Sequence, residues 1–500
     1  MVKSAAGVYL QWVQDCPQDG APQWARVHRA VRRAIDAGTL QPGMRLPSAR
    51  QLARDWGVSR GAVDEGFAQL QAEGLLERRV GDGTYVAAAA RPSAQTPHRE
   101  PAAAARRVLK DFGAIQVPAS RVEGAVVPRR AYALHPRAMP LDSFPLAAWR
   151  RLLVQAHEPA QQALMEGGPP GGLPALREAI ARHLALARGV TCSPSQVLVL
   201  SGPREGITAV VRQLLQPGDT VAVEDPSHPS LPQLFSILGA RVQGVPLDDE
   251  GFVVDALPPA TRAVYLHPLA QYPLGQRTRL ARGRALLAWA EAQQGWIVEG
   301  HYNDEWVPRS EQTPTLFARD FAGRVLLLGT FEGVMFPSLR VGYLVLPEAL
   351  AARFIASQAR LGERVPLATQ WAVAQFIDSG GLTRHLERVR RDLSERRERV
   401  AGHLARLLPA AVRLGPMETG AQLCLHLPPV LADTAVVAAL RAQRVVVEPV
   451  SPMTWPPGRV NAIVFGYMGW TEAEVLAALD KIAAVISAAL AGYQGASEKA

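Results

Sequence analysis

The side chains with the most evident chemistry follow predicted buried strands in the second half of the chain. Ser201 and Gly202 stand after one apolar run and lead into a helical segment, whose N-terminus favours a phosphate or a carboxylate. Tyr302 and Thr330 follow two further apolar runs, and Arg340 comes ten residues after Thr330. The carboxyl ends of parallel strands meet at one edge of a sheet, where ligands bind. These residues therefore predict a site for an anionic small molecule.

A second set of polar residues, near the N-terminus, is positioned by three predicted helices and a hairpin. Apolar residues at helical spacing predict a helix over 22–37. Ser48 and Ser59 are suited to cap a second and a third helix. The segment 75–86 is typical of a two-stranded hairpin around a glycine-containing turn. Together these elements predict a winged-helix, or winged helix-turn-helix, DNA-binding domain over residues 8–88.

In a winged helix the third helix enters the major groove, and arginine and small polar groups hold the phosphates. Arg60, at the start of that helix, is the best candidate for a base contact. Asp64 and Glu65 would repel phosphate, so we expect them to face away from DNA. The alternative is that the arginines form a solvated face of an interaction domain. The predicted DNA-binding residues are Arg45, Ser48, Arg50, Ser59, Arg60, Gly61, Gly83 and Thr84.

The charge distribution also favours an anionic partner, with double-stranded DNA first. The net charge is +9, and only four of the 54 basic residues are lysines. Residues 1–90 carry 11 basic and nine acidic side chains, whereas residues 91–137 carry nine basic and three acidic ones. The alternative explanation is a GC-rich genome that encodes arginine in place of lysine. Residues 89–138 are rich in Ala, Pro and Arg, which predicts a flexible basic linker.

The composition argues against several classes of protein. Apolar residues make up 48% of the chain and charged residues 20%, which is typical of globular domains. Cys16, Cys192 and Cys424 are odd in number and widely spaced, so neither a disulfide framework nor a metal site is expected. No leader pattern and no uninterrupted apolar run of about 20 residues is evident. We therefore expect a cytoplasmic protein with no membrane partner.

The N-terminal region resembles the GntR family of regulators. Four segments follow the pattern of that family in order: AIDAGTLQPGMRLPSARQLA (34–53), GVSRGAV (57–63), LQAEGLL (70–76) and GDGTYV (81–86). One such fragment alone would be weak, but the ordered set is specific. The resemblance implies a DNA-binding winged helix.

The rest of the chain alternates strands and helices, which predicts an α/β fold with helices on a mostly parallel sheet. Its turns resemble the PLP-dependent aminotransferases of fold type I at GLPALR (172–177), EDP (224–226) and GTFEGVMFPSLRVGY (329–343). Joined to a GntR-type domain, this is similar to the MocR/GabR regulators. The resemblance implies a large domain over 139–367, a small domain over 368–490, and a homodimer.

The departures from that family fall at the cofactor, pyridoxal phosphate (PLP). The family has serine and the Schiff-base lysine where this chain has Glu332 and Gly333, and aspartate at the pyridine nitrogen where it has Gly300. A tyrosine of the family is replaced by His228. Lysine tethers the cofactor and moves the proton, so transamination is not expected and no catalytic residue is predicted. The residues of the vestigial PLP pocket are Ser201, Gly202, His228, Gln271, Gly300, Tyr302, Thr330, Gly333 and Arg340.

These observations lead to one interpretation and one alternative. The first is a MocR-type regulator whose aminotransferase-like region binds a small-molecule effector, in a pocket enlarged by two glycines, or serves for dimerisation. The alternative is a PLP-binding regulator or an enzyme with residual PLP chemistry, although no lysine lies between Lys110 and Lys481. His301 is either a substitute partner for the pyridine nitrogen or a packing residue. Glu332 is expected to be solvated or paired with Arg340.

Overall fold

The computed structural model describes residues 22–79, 81–88, 133–136, 138–302, 304–362, 364–417 and 421–497. The chain divides into two compact units, residues 1–118 and 119–500. Residues 8–21 of the predicted DNA-binding domain and residues 89–132 of the predicted linker lie outside the described residues.

The first unit is the expected winged helix. Both serine caps are present, because Ser48 Oγ accepts a hydrogen bond from the Gln51 N–H at 3.2 Å and Ser59 Oγ accepts one from Ala62 at 3.2 Å. Each cap satisfies one N–H that the first helical turn leaves without a partner. The elements are α1 (Gln23–Asp36), α2 (Ala49–Trp56), α3 (Arg60–Ala72), β1 (Leu76–Arg79) and β2 (Gly83–Val86).

The core of this unit lies between α1 and α3. Val31 and Ile35 of α1 are buried with Val63 and Leu70 of α3 in one apolar cluster. Strands β1 and β2 are antiparallel. The segment before α2 also pairs with β2, since the Leu46 N–H donates to the Thr84 carbonyl at 2.8 Å. Strand β2 of the wing is therefore paired both with β1 and with the segment before α2.

The large domain is built on an eight-stranded sheet. Strands β4, β5, β7, β8 and β9 run parallel, and β10 is antiparallel to β3 and β9, in the order β3-β10-β9-β8-β7-β4-β5-β6. The mostly parallel sheet is thereby confirmed. Its strands are β3 (Val197–Leu200), β4 (Thr220–Asp225), β5 (Arg241–Asp248), β6 (Gly251–Phe252), β7 (Thr261–Leu266), β8 (Trp296–His301), β9 (Val325–Thr330) and β10 (Gly342–Val345).

Helices cover both faces of this sheet. Successive residues of a strand point to opposite faces, and β7 buries Tyr265 in one apolar cluster and Val264 in another. The first cluster includes Ile207 of α6, and the second includes Leu286 of α8. The helices of the domain are α4 (Leu146–Gln155), α5 (Pro174–Arg188), α6 (Pro203–Leu214), α7 (Ser230–Ile237), α8 (Leu280–Ala292), α9 (Glu348–Leu361) and α10 (Leu367–Asp378).

The small domain has a four-stranded antiparallel sheet in the order β11-β12-β14-β13. The basic segment after residue 381 forms its longest helix, whose apolar side is buried at Leu382, Leu386 and Val389. The elements are α11 (Gly381–Leu407), β11 (Arg413–Leu414), β12 (Gln422–His426), α12 (Asp433–Ala442), β13 (Glu448–Pro449), β14 (Ala462–Gly466) and α13 (Glu472–Ser497).

Two long-range contacts lie near the predicted domain boundaries. Ala133, within the linker predicted over 89–138, pairs with Val445 of the small domain as an isolated bridge. Helix α10, which follows the boundary predicted at 367/368, packs on α4 and α5 of the large domain. Contacts between residues distant in sequence leave no local pattern, so the sequence did not indicate them.

Helix α13 is apolar over Glu472–Tyr493, with a mean hydropathy of 1.8, and by length and composition alone it qualifies as a membrane span. Its Val475, Leu479, Ile482 and Ile486 are fully buried, and it packs on α11 and α12. Packing within the small domain therefore accounts for one buried face of the helix, about 33% of the apolar window.

Candidate functional site

The start of α3 presents the residues predicted to contact DNA. Arg60 is 71% exposed, and its Nε lies 3.5 Å from Asp64 Oδ2, one helical turn later. The Asp64 carboxylate, which we expect to face away from DNA, therefore lies on the same side of α3 as the Arg60 guanidinium. A side chain at the neighbouring Gly61 would meet no atom within 4 Å. The backbone there is open to close approach by a DNA strand.

The wing holds Arg45 in a defined position. Arg45 donates a hydrogen bond to the carbonyl of Asp82, and a side chain at Gly83 would begin 3.0 Å from Arg45 Nε. Gly83 also has a φ of +133°, which disfavours other residues. Arg50 is exposed on α2, whereas the hydroxyls of Ser48 and Ser59 are engaged as caps. Arg50, Arg60 and Arg45 thus remain as the cationic groups of the predicted DNA face.

The second site is a cavity of about 530 Å³ at the carboxyl ends of the strands of the large domain. Five of the nine predicted pocket residues line it, namely His228, Tyr302, Thr330, Gly333 and Arg340. The sequence analysis missed other residues of its wall. These are Arg204 at the start of α6, Tyr265 and His267 at the end of β7, and Trp306, whose indole N–H donates to the Gly333 carbonyl at 2.8 Å.

The other four predicted residues are not part of the cavity wall. The Ser201 N–H donates to Glu205 Oε2 at 2.6 Å, which closes the first turn of α6. The amide of Gln271 donates to the carbonyl of Pro226 at 2.7 Å, and its oxygen accepts from the Leu274 N–H at 3.0 Å. Gln271 therefore holds a loop together. Gly202 and Gly300 are covered by neighbouring side chains.

The imidazole of His267 covers Gly300. A Cβ at Gly300 would lie 2.7 Å from His267 Nε2 and 3.1 Å from the Tyr265 hydroxyl, so the expected enlargement of the pocket at this glycine is wrong. Buried Glu224 fixes the ring, because its Oε2 accepts from the backbone N–H of His267 at 3.1 Å and lies 3.2 Å from His267 Nδ1. Burial raises the pKa of Glu224, and the bonds from His267 offset part of that rise.

A tyrosine pair completes this end of the cavity. The hydroxyls of Tyr265 and Tyr302 share a short hydrogen bond, and Tyr265 Oη lies 3.3 Å from His267 Nε2. Burial raises the pKa of both phenols, so they stay neutral and act as hydrogen-bonding groups. In the sequence, the feature that pointed to this part of the cavity wall was His267, a histidine directly after the buried strand β7.

His301 lies outside the cavity wall, within a buried cluster of charged groups. Its Nε2 lies 3.2 Å from Glu299 Oε1, and its Nδ1 lies 3.1 Å from Asp304 Oδ2. Arg188 approaches the same carboxylate of Asp304 at 3.4 Å. This position agrees with a packing role and not with a partner for a pyridine nitrogen.

Arg340 and Glu332 also line the cavity. Arg340 has a φ of +53°, in the left-handed region, and lies just before β10. Its Nη1 is 3.4 Å from Glu332 Oε1, which confirms the expected pairing. Thr330 Oγ1 accepts from the Glu332 N–H at 3.1 Å and so fixes the start of the turn.

The residues present do not fit PLP bound as in an aminotransferase. Gly333 offers no amine, and no lysine occurs between residues 110 and 481. Gly300 offers no carboxylate, and His267 fills the space in which one would stand. The Glu332 carboxylate is a third mismatch, because it occupies the space beside Gly202. A Cβ added at Gly202 would lie 2.6 Å from Glu332 Oε1. No group of three or more His, Cys, Asp or Glu side chains within the described residues is placed to hold a metal ion.

A winged helix followed by a fold type I aminotransferase-like region defines a class of transcriptional regulator. Residues 24–86 match the gntR family of bacterial regulatory proteins, and residues 139–482 match the aminotransferase class I and II family. The chain belongs to the MocR-type regulators, in which these two domains are joined.

Two relatives and one solved structure illustrate the similarity. The probable rhizopine catabolism regulatory protein MocR of Rhizobium meliloti is 32% identical over 449 residues, which is 90% of each chain. The HTH-type pyridoxine biosynthesis transcriptional regulator PdxR of Corynebacterium glutamicum is 32% identical over 89% of this chain and 93% of its own. The structure of kynurenine aminotransferase from Pyrococcus horikoshii has a TM-score of 0.68 at 22% identity and covers 76% of this chain and 98% of its own. The last comparison shows the fold.

Proposed function

We propose that this protein is a cytoplasmic, homodimeric DNA-binding regulator whose aminotransferase-like region has lost covalent PLP binding and serves as an effector-binding module. The observation that carries the proposal is the contrast at the two sites. Arg60 is exposed at the N-terminus of a capped α3, while the cavity contains no lysine. The first arrangement suits a DNA groove, and the second cannot form an imine.

The proposed contacts in DNA divide into two kinds. Arg60 reads a base edge in the major groove, and Gly61 lets the backbone approach the sugar-phosphate chain. Arg45, Arg50 and the wing residues Gly83 and Thr84 hold phosphates, which fixes the position of α3 but carries no sequence information. An effector in the cavity contacts His228, Tyr302 and Arg340 without a covalent bond.

Selection from a random duplex library tests the DNA function of the full chain. The proposal predicts enrichment of a short two-fold symmetric sequence, because a homodimer places two copies of α3 on the duplex. Binding that depends only on salt concentration and enriches no sequence would contradict it. Analytical ultracentrifugation of the same preparation tests the dimer.

Incubation with an amino donor, an oxo acid and PLP tests the absence of transamination. We expect no product above the rate of free PLP, since no lysine lines the cavity to move the proton. Turnover above that rate would favour the alternative of residual PLP chemistry.

A further inference from the structure

The positive end of the cavity already contains a carboxylate of the chain itself. Glu332 is 19% exposed, and its Oε1 lies 3.4 Å from Arg340 Nη1. Arg204, at the start of α6, also acts on it through its charge. Burial raises the pKa of Glu332, and Arg340 and Arg204 offset part of that rise. Two cations thus converge on one half-buried anion.

The Glu332 carboxylate lies beside Gly202, the residue that precedes α6. Gly202 has a φ of +137°. A single carbon added there would lie 2.6 Å from Glu332 Oε1 and 3.7 Å from Arg340 Cζ. A phosphate needs several oxygens at about 2.7–2.9 Å from its donors, which is more space than one carbon. A phosphate paired with Arg340 beside Gly202 would therefore compete with the Glu332 carboxylate for the same space.

Part of the remaining cavity wall is aromatic. Tyr265, His267 and Tyr302 form one wall, and Trp306 is held by its bond to Gly333. Aromatic surfaces with a few fixed polar groups favour a planar ligand that makes hydrogen bonds at its edge.

From these observations we propose that Glu332 is an internal anion that closes the Arg204–Arg340 end of the cavity to phosphate-bearing ligands, so that the effector is a non-phosphorylated aromatic compound. This inference rests on the proposed function, in which the cavity is the effector site. It assigns Glu332 a role in selecting the ligand, in addition to its pairing with Arg340.

Calorimetric titration of the full chain with pyridoxine and with pyridoxine 5′-phosphate tests the inference. Neither compound has an aldehyde, so surface lysines cannot form an imine with them. We expect the wild-type chain to bind the phosphate compound no more tightly than pyridoxine. Glu332→Ala should gain about 10- to 100-fold for pyridoxine 5′-phosphate, with little change for pyridoxine, because charge-assisted bonds to Arg340 become available. The isosteric Glu332→Gln should gain less, because it removes the charge but leaves a side chain in the same space.

The double variant Glu332→Ala/Arg340→Ala is the control for the anion site, and it should lose the gain. The inference is overturned if the wild-type chain prefers the phosphate compound by tenfold or more. It is also overturned if thermal unfolding shows that both single variants are folded and neither binds pyridoxine 5′-phosphate more tightly than the wild-type chain. Sequence-specific DNA binding by the wild-type chain, measured separately, reports on the proposed function. Failure of one test therefore does not imply failure of the other.

Discussion

Two regions, the start of α3 and the end of the cavity at Gly333, carry the sequence patterns of their families. They differ in whether the functional side chain itself is kept. At α3 the pattern includes the exposed Arg60 as well as the Ser59 cap that positions it. In the cavity the pattern is kept at Thr330 and Arg340, whereas position 333 is glycine. The fold can survive without a reactive amine, because packing and backbone hydrogen bonds hold it.

Particular residues show why the fold of the cavity region persists. Gly172 has a φ of +104°, and a Cβ there would lie 2.5 Å from Val199. The side chain of Gln271 makes hydrogen bonds with three backbone groups nearby, the carbonyls of Pro226 and Tyr272 and the N–H of Leu274. Such residues serve the architecture whether or not a cofactor is bound. A family resemblance therefore predicts structure in both regions but chemistry only where the reactive groups remain.

The largest expected effect concerns the stability of the aminotransferase-like region in the absence of cofactor. Glu305 is 15% exposed and lies 2.8 Å from Arg390 Nη2 and 3.0 Å from His183 Nε2. Glu305→Gln removes the ion-pair partner of the mostly buried Arg390, and we expect the free energy of unfolding to fall by about 3 kcal/mol. Urea unfolding at neutral pH measures the loss.

The pH dependence of this contribution has a defined direction. Burial alone would raise the pKa of Glu305, but His183, Arg188 and Arg390 together lower it to about 2. A carboxyl with a depressed pKa in the folded state stabilises the protein above its unfolded-state value, and this stabilisation is lost as the pH falls toward about 2. The difference between wild type and Glu305→Gln should therefore be constant near neutral pH and narrow below about pH 4.5.

The matched control for this prediction is an exposed ion pair. Glu178 and Arg182 lie 3.9 Å apart and are each more than half exposed. Glu178→Gln should change the free energy of unfolding by less than about 0.5 kcal/mol. A similar loss from both substitutions would show that the buried network has no special role.

A second prediction tests the DNA side of the comparison. Arg60→Ala should weaken binding to the selected operator about 10- to 100-fold, with a smaller effect on unrelated DNA, if Arg60 reads a base. Arg33→Ala, an exposed arginine of α1, is the control and should change binding little. Fluorescence anisotropy at one fixed salt concentration measures both. An equal loss for operator and unrelated DNA would assign Arg60 to a phosphate.

The smallest effect separates two glycines. Gly300→Ala places a methyl group 2.7 Å from the ring of His267, which Glu224 holds in place, and should destabilise the protein by about 1 kcal/mol. Gly402→Ala, within α11 and with no atom nearby, should stabilise it by about 0.5–1 kcal/mol. Thermal unfolding of the two variants compares them. A stable Gly300→Ala would show that His267 does not fill this space.

The sequence alone predicted local features well and contacts between distant segments poorly. The Ser48 and Ser59 caps and the parallel strands follow from neighbouring residues, and the structure confirms them. The cover of Gly300 by His267 joins the ends of β7 and β8, which no spacing in the chain reveals. The pairing of Ala133 with Val445 was missed for the same reason.

The most direct test of the account is the affinity of the full chain for its selected operator, measured with and without PLP and then again after borohydride reduction. We expect a sequence-specific complex under all three conditions. We also expect no change in affinity that borohydride reduction makes permanent, since the cavity contains no lysine. A change in affinity caused by PLP and fixed by borohydride would contradict it.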